Sequence, residues 1–140
     1  MGVPQPSLDA RMSFRRLPAL VIAAWIALSA GVADARPSNK WRLECSGNAE
    51  SAGTITLVMA PRGEPELSFE IPVKHRTSEN GVARTIRDAL KADPRATARW
   101  RMEVDDGEDV LIKKRRGQPD FDLRVGGNTV KGVRLNPDRE

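Results

Sequence analysis

The chain has 140 residues, 39% of them hydrophobic, which is enough for one domain with a packed core and excludes a disordered chain. Lysine and arginine exceed aspartate and glutamate by 23 to 19, so the net charge of +4 favours anionic partners without selecting one of them. Tyrosine is absent and only three Trp and three Phe occur. This argues against nucleic-acid binding, because single-stranded nucleic-acid binders stack bases on aromatic side chains.

Residues 1–35 have the pattern of a secretory signal peptide. It begins with the basic residues Arg11, Arg15 and Arg16. An apolar stretch follows at residues 17–32, and Ala33-Asp34-Ala35 is an A-x-A cleavage signature. The apolar stretch is shorter than the about 20 residues of a spanning helix, so we expect cleavage after Ala35 and no transmembrane span afterwards. An uncleaved anchor is the alternative, and Met12 is an alternative initiator. The pattern predicts export to the bacterial envelope, periplasmic or secreted.

Residues 36–40 are predicted as a flexible lead-in to a single domain at residues 41–135. Three segments there alternate apolar and polar side chains, which is typical of half-buried strands. Their inward side chains are Trp41, Leu43 and Cys45, then Ile55, Leu57 and Met59, then Leu67, Phe69, Ile71 and Val73. Pro72 has no N–H to donate to a neighbour, so it predicts that the third strand is an edge strand or that Pro72 lies near its end.

The next segment predicts a helix at about residues 79–92. Its apolar side chains fall at i, i+4, i+7 and i+8 and form one stripe: Val82, Ile86, Ala89 and Leu90. Ser78 or Asn80 is suited to cap its start, and Pro94 ends it, because the residue before a proline is driven out of the α region.

After Pro94 the alternation of strands returns, with Ala98, Trp100, Met102 and Val104 predicted to face inward. The remaining predicted features are a tight turn at 105–108, a strand at 110–115, a break at 117–120, a strand at 121–125, a hairpin loop at 126–128, a return strand at 129–135 with a bulge at Gly132, and a polar tail at 136–140. The sequence therefore predicts a two-layer α+β fold, in which one helix packs on an antiparallel sheet of about five to seven strands.

Basic side chains are densest on the strand before the break at residue 117. The candidate ligand-binding residues are Lys113, Lys114, Arg115 and Arg116, together with Arg99 and Arg101. On a strand the members of the run of four alternate between two faces, so they do not form one stripe. Lysine on an edge strand also hinders aggregation through that edge. This protective role is the alternative to a binding role.

The residues with catalytic or metal-binding chemistry are few. Cys45 shares the parity of Trp41 and Leu43, so we expect a buried thiol, with an intermolecular disulfide as the alternative. His75 lies in a polar segment and is predicted to be exposed. The acids Asp105, Asp106, Glu108 and Asp109 do not have EF-hand spacing. We therefore expect no catalytic residues, no metal and no cofactor.

These observations favour a small exported non-enzymatic binding module. Its polar sheet face and basic strand would engage an anionic envelope component or an acidic protein surface. One alternative is an assembly subunit joined by strand addition at a sheet edge. The other is a small exported hydrolase with His75 as general base and Asp105 or Glu79 as its partner.

Overall fold

The computed structural model describes Gly2 and residues 36–140. The predicted signal peptide, with Ala33 and Ala35, lies outside the described residues. Within 36–140 there are seven strands and two helices: β1 (Lys40–Ser46), β2 (Gly53–Pro61), β3 (Leu67–Val73), α1 (Glu79–Ala92), α2 (Pro94–Thr97), β4 (Trp100–Asp105), β5 (Asp109–Lys114), β6 (Phe121–Asn128) and β7 (Arg134–Arg139).

Helix α1 forms where the apolar stripe predicts it. Val82, Ile86 and Leu90 are fully buried, whereas Ala89 is half-buried. Ser78 is the N-cap, and its Oγ accepts a hydrogen bond from the Gly81 N–H at 3.1 Å. The helix thus begins and ends as predicted, and the structure selects Ser78 over Asn80 as its cap.

Helix α2 was not predicted. Asp93 ends α1 and at the same time caps α2, because its carboxylate accepts a hydrogen bond from the Arg95 N–H at 2.9 Å. Pro94 occupies the first turn of α2, where the missing N–H has no cost. This extra turn leaves Ala98 exposed, so its predicted inward orientation is wrong.

The α+β class is confirmed, and the seven strands divide between two antiparallel sheets rather than forming one. One sheet has four strands in the order β4-β5-β1-β7, and the other has three in the order β3-β2-β6. Helix α1 contacts β3 of the smaller sheet and β4, β5 and β1 of the larger one. The helix and both sheets therefore enclose one hydrophobic core.

Three aromatic side chains connect the two sheets inside this core. The Trp100 ring of β4 lies 5.3 Å from the Phe121 ring of β6 and 6.3 Å, edge-on, from the Phe69 ring of β3. Trp41 on β1 donates its indole N–H to the Phe121 carbonyl at 2.7 Å. Ser38, in the predicted flexible lead-in, pairs with Phe121 in an isolated bridge. Because these contacts join segments far apart in the chain, they set how the sheets meet.

The end of the chain differs from its prediction. Residues 126–128 belong to β6 and pair with β2, and Gly126 is the extra residue at a register shift between Thr56 and Leu57. The predicted hairpin loop is therefore wrong, as is the predicted return strand at 129–135. The last strand is β7, which pairs with β1 and contains most of the predicted polar tail.

Gly132 lies in a loop and not in a bulge. Its φ of +85° is in the left-handed region, and a Cβ there would lie 2.5 Å from the Asn48 carbonyl oxygen. The loop is held against residues 48–51 by hydrogen bonds, such as that from the Glu50 N–H to the Lys131 carbonyl at 2.8 Å. A glycine is needed here because two loop backbones approach closely.

We expect Ser78→Ala to lower the free energy of unfolding by about 1 kcal/mol, since the Gly81 N–H loses its acceptor. Asn80→Ala is the matched control and should cause no loss, because alanine is the better helix former. Urea denaturation followed by tryptophan fluorescence measures both variants. Equal losses in the two variants would contradict Ser78 as the cap.

Candidate functional site: the outer face of the four-stranded sheet

The larger sheet has one face in the core and one face outside it. Side chains alternate along each strand, and the inward ones include Leu43, Val110 and Met102. The outer face therefore carries the intervening side chains of β4, β5, β1 and β7. Nearly all of them are charged or polar, so their arrangement sets the distribution of charge on this face.

A row of three cations crosses the outer face, which we call the cationic row: Arg101 of β4, Lys113 of β5 and Lys40 of β1. Lys113 is opposite Arg101 on one side and opposite Lys40 on the other. Lys40 has a counterion, because its Nζ lies 2.5 Å from Glu140 Oε2. Arg101 and Lys113 are exposed and have no ion-pair partner within residues 36–140. A shallow cavity of about 200 Å³ adjoins the row, with Glu103 and Leu111 in its lining.

Arg42 occupies the next outward position of β1 and is fully paired. Its guanidinium lies 2.7 Å from Asp109, 3.3 Å from Asp105 and 2.5 Å from Glu140. Hydrogen bonds to Glu140 and Asp109 raise the pKa of Arg42 above its usual range. Hydrogen bonds from Lys40 and Arg42 lower the pKa of Glu140. The acids at this end of the face thus neutralise Arg42, whereas Arg101 and Lys113 of the cationic row form no ion pair within residues 36–140.

Only two of the six predicted binding residues, Arg101 and Lys113, share the outer face. The other four are placed as follows: Lys114 pairs with Asp120 at 2.7 Å, Arg115 donates from Nε to the Thr97 carbonyl at 2.6 Å, Arg99 pairs with Glu64, and Arg116 is exposed beside the turn. Lys40 was missed, because only the strand register places it beside Lys113.

The predicted tight turn between β4 and β5 is confirmed. Asp106 and Gly107 both have positive φ, of 49° and 81°. Asp105 and Asp109 face Arg42, whereas Glu108 faces α1, so the four acids of this turn diverge. Within the described residues no group of three or more His, Cys, Asp or Glu side chains could hold a metal ion.

Glu108 forms a carboxyl pair with Glu79 that sequence reasoning missed. The hydrogen bond between them lowers the pKa of Glu79, helped by the Gly47 N–H, which donates to Glu79 Oε2 at 2.6 Å. The same hydrogen bond raises the pKa of Glu108. Of the two carboxyls, Glu108 is therefore the one that keeps a proton to higher pH. The two residues are far apart in sequence and have no periodic relationship, so no local signal marked them.

Cys45 and His75 do not meet. Cys45 is buried, and burial, with nearby acids acting in the same direction, raises the pKa of its thiol to about 12. His75 is exposed and has no hydrogen bond or ion pair with another group in residues 36–140; Asp105 and Glu79, its proposed partners, bond to Arg42 and Gly47 instead. A protonated thiol is a weak nucleophile, so these two residues do not form a nucleophile and base pair.

None of the helices described is long and apolar enough to cross a membrane.

The carboxyl pair predicts a pH-dependent effect of Glu108→Gln. A carboxyl whose pKa is raised by folding stabilises the folded state at pH values below the ordinary glutamate pKa. This stability is lost as the pH rises through the raised pKa. Glutamine keeps an N–H donor toward Glu79 and does not ionise. We therefore expect the free energy of unfolding of Glu108→Gln to increase relative to that of the unmodified chain as the pH rises from about 4 to about 8.

Glu70→Gln is the control for this measurement, because Glu70 is exposed and forms no ion pair in the described residues. Urea denaturation of all three proteins across the pH range gives the comparison. A difference between Glu108→Gln and the unmodified chain that stays constant with pH would show that the pair does not share a proton.

Comparison with known proteins gives no family. No protein-family model matches the chain, and no curated protein matches it. The geometry of the outer face and the chemistry of its side chains are therefore the basis for assigning a function.

Proposed function

We propose that the protein is a small exported non-enzymatic binding module of the bacterial envelope. In this proposal it engages an anionic partner through the outer face of the four-stranded sheet. Export rests on the signal-peptide pattern of residues 1–35, which is an observation on the sequence alone. The binding role rests on the cationic row.

The observation that carries the proposal is the uncompensated pair of Arg101 and Lys113. These residues are directly opposite on neighbouring strands, and like charges in such positions destabilise a sheet. Elsewhere on the same face Glu140 neutralises Lys40 and Arg42. An anion bound between Arg101 and Lys113 would relieve the repulsion, and this relief would contribute to affinity.

The neighbouring side chains also suit a binding face. Leu111 supplies an apolar patch in the floor of the cavity, and Lys40 extends the positive charge across a third strand. The cavity of about 200 Å³ is smaller than the about 300 Å³ at which small-molecule clefts begin. The face is therefore better suited to a carboxylate, phosphate or sulfate group carried on a larger partner.

The double variant Arg101→Glu with Lys113→Glu tests the proposal. With heparin, poly-glutamate and phosphatidylglycerol vesicles as separate probes, we expect it to weaken binding to at least one probe by about tenfold or more. We also expect the affinity of the unmodified protein for that probe to fall as salt is raised, since salt screens exposed charges. Isothermal titration calorimetry at two salt concentrations measures both effects.

Lys74→Glu with Arg84→Glu is the matched control. It makes the same change in net charge at two exposed cations that lie outside the four-stranded sheet. An equal loss of affinity in both double variants would mean that only the net charge matters. Unchanged affinity in Arg101→Glu with Lys113→Glu would remove the cationic row as the binding site.

A further inference from the structure

A second cavity with a positive lining lies beside β4, and we call it the cationic groove. It has a volume of about 230 Å³ and lies between β4 and the C-terminal turn of α1. Lys91, Arg101 and Arg115 line it, against a single carboxylate from Glu103. Arg101 also belongs to the cationic row, whereas Lys91 and Arg115 have no part in the proposed function so far.

The positive charges of the cationic groove are not neutralised by the protein. None of its three cations forms an ion pair within residues 36–140. In the cavity beside the cationic row, by contrast, Lys40 is paired with Glu140. Three cations and one carboxylate leave the groove with an excess of two positive charges. Such a lining complements a dianion better than a monoanion.

Arg115 is held in place by hydrogen bonds to the backbone. Its N–H donates to the Arg99 carbonyl at 2.8 Å, and its Nε donates to the Thr97 carbonyl at 2.6 Å. The second bond fixes the guanidinium and leaves both of its Nη atoms without a hydrogen bond in the described residues. A guanidinium held in this way is preorganised for the paired N–H···O bonds that arginine makes with a phosphate group.

The apolar part of the lining is almost closed to solvent. Trp100 and Met102 contribute to it, and they are only 1% and 2% exposed. They keep water from one side of the groove, so charges attract each other more strongly there than on a fully solvated surface. They also offer too little surface to hold an apolar ligand. The volume is below the about 300 Å³ at which small-molecule clefts begin, so the groove suits one anionic group whose carrier lies outside it.

We propose that the cationic groove binds the phosphate of a phosphate monoester in its dianionic form. The Nη atoms of Arg115 donate to the phosphate oxygens, and Lys91 and Arg101 add positive charge on the flanks. At pH 7 a phosphate monoester carries about −1.5 to −2 charge, which matches the excess of two positive charges. The inference rests on the proposed function, because Arg101 belongs to both cavities, and it specifies the anionic group that the partner carries.

The test compares phenyl phosphate with phenyl sulfate, which has a similar shape but only one negative charge. The probes are titrated into the purified isotope-labelled protein and followed by nuclear magnetic resonance. At a pH of about 7.5 we expect phenyl phosphate to bind about tenfold more tightly and to shift the signal of the Arg115 Nε–H. This advantage should disappear as the pH falls to about 5, because the phosphate takes up a proton near pH 6. Phenyl sulfate keeps its charge over this range and therefore reports any titration of the protein itself.

Two variants test the groove residues. Lys91→Gln should weaken binding of phenyl phosphate several-fold, whereas Lys74→Gln, which removes the same charge at an exposed lysine outside the groove, should not. Arg115→Lys keeps the charge but loses the paired donors, so we expect a loss of about tenfold. Urea denaturation shows whether Arg115→Lys remains folded. Lys91→Gln keeps the test valid in either case, since Lys91 forms no hydrogen bond or ion pair with another side chain in the described residues.

Lys113→Gln separates the groove from the cationic row, because Lys113 lines the other cavity and not this one. It should weaken binding of heparin and leave binding of phenyl phosphate little changed. Inorganic phosphate and phosphatidic acid vesicles then distinguish the sources of the phosphate group. Tighter binding of the vesicles would assign it to a lipid headgroup and tighter binding of inorganic phosphate to the free ion, and both results support the inference.

Three results would overturn the inference: equal affinity for the two phenyl esters at a pH of about 7.5, an Arg115 Nε–H signal that does not respond to phenyl phosphate, and equal effects of Lys91→Gln and Lys74→Gln. If heparin still binds and Lys113→Gln weakens it, the proposed function stands without the inference. If neither phenyl phosphate nor any polyanion binds, the proposed function fails together with the inference.

Discussion

The packing of Trp100 between Phe69 and Phe121 is the interaction on which the rest of the structure depends. It brings an edge strand of the four-stranded sheet against both edge strands of the three-stranded sheet. Aromatic pairs of this kind bury large areas and add about 0.5–1.5 kcal/mol beyond that burial. With α1 in contact with both sheets, the inward face of each strand is committed to one core. Binding chemistry is therefore confined to outer faces, loops and strand edges.

On the outer face of the larger sheet, position decides which charges are neutralised. Arg42 lies where three carboxylates from the β4–β5 turn and the chain end converge, so its charge is satisfied within the protein. Arg101 and Lys113 lie nearer the opposite end of their strands and form no ion pair with those acids. A chain with a net charge of only +4 thus holds two unpaired cations directly opposite each other on this face. Local geometry, and not the total charge, therefore sets the local potential of this face.

The strand edges are protected against pairing in two ways. Pro72 and Pro137 each remove a donor from an otherwise open edge, a common protection against unwanted pairing. β4 contains no proline, but Trp100 and Met102 on this strand are only 1% and 2% exposed. Burial therefore covers the β4 edge, whereas proline interrupts the edges of β3 and β7.

Local sequence was enough to predict the helix and most inward side chains. Val82, Ile86 and Leu90 recur at helical spacing, and Leu43 and Met102 alternate with polar neighbours, because burial on one face imposes a period on the chain. The same reasoning predicted the buried thiol of Cys45 and the exposed ring of His75. It failed at residues 126–128. Their composition is typical of a turn, but they belong to β6 because they pair with β2.

The sequence by itself determined the α+β class, the helix at residues 79–92 and the basic run at residues 113–116. Tertiary structure alone decided that the strands form two sheets, that the last residues pair with β1, and that Lys40 joins Arg101 and Lys113. It also decided which charges are neutralised, as in the pairs of Glu140 with Lys40 and of Glu108 with Glu79. The physical reason is that periodicity records which face of an element is buried, whereas contacts between distant segments depend on register and leave no local pattern.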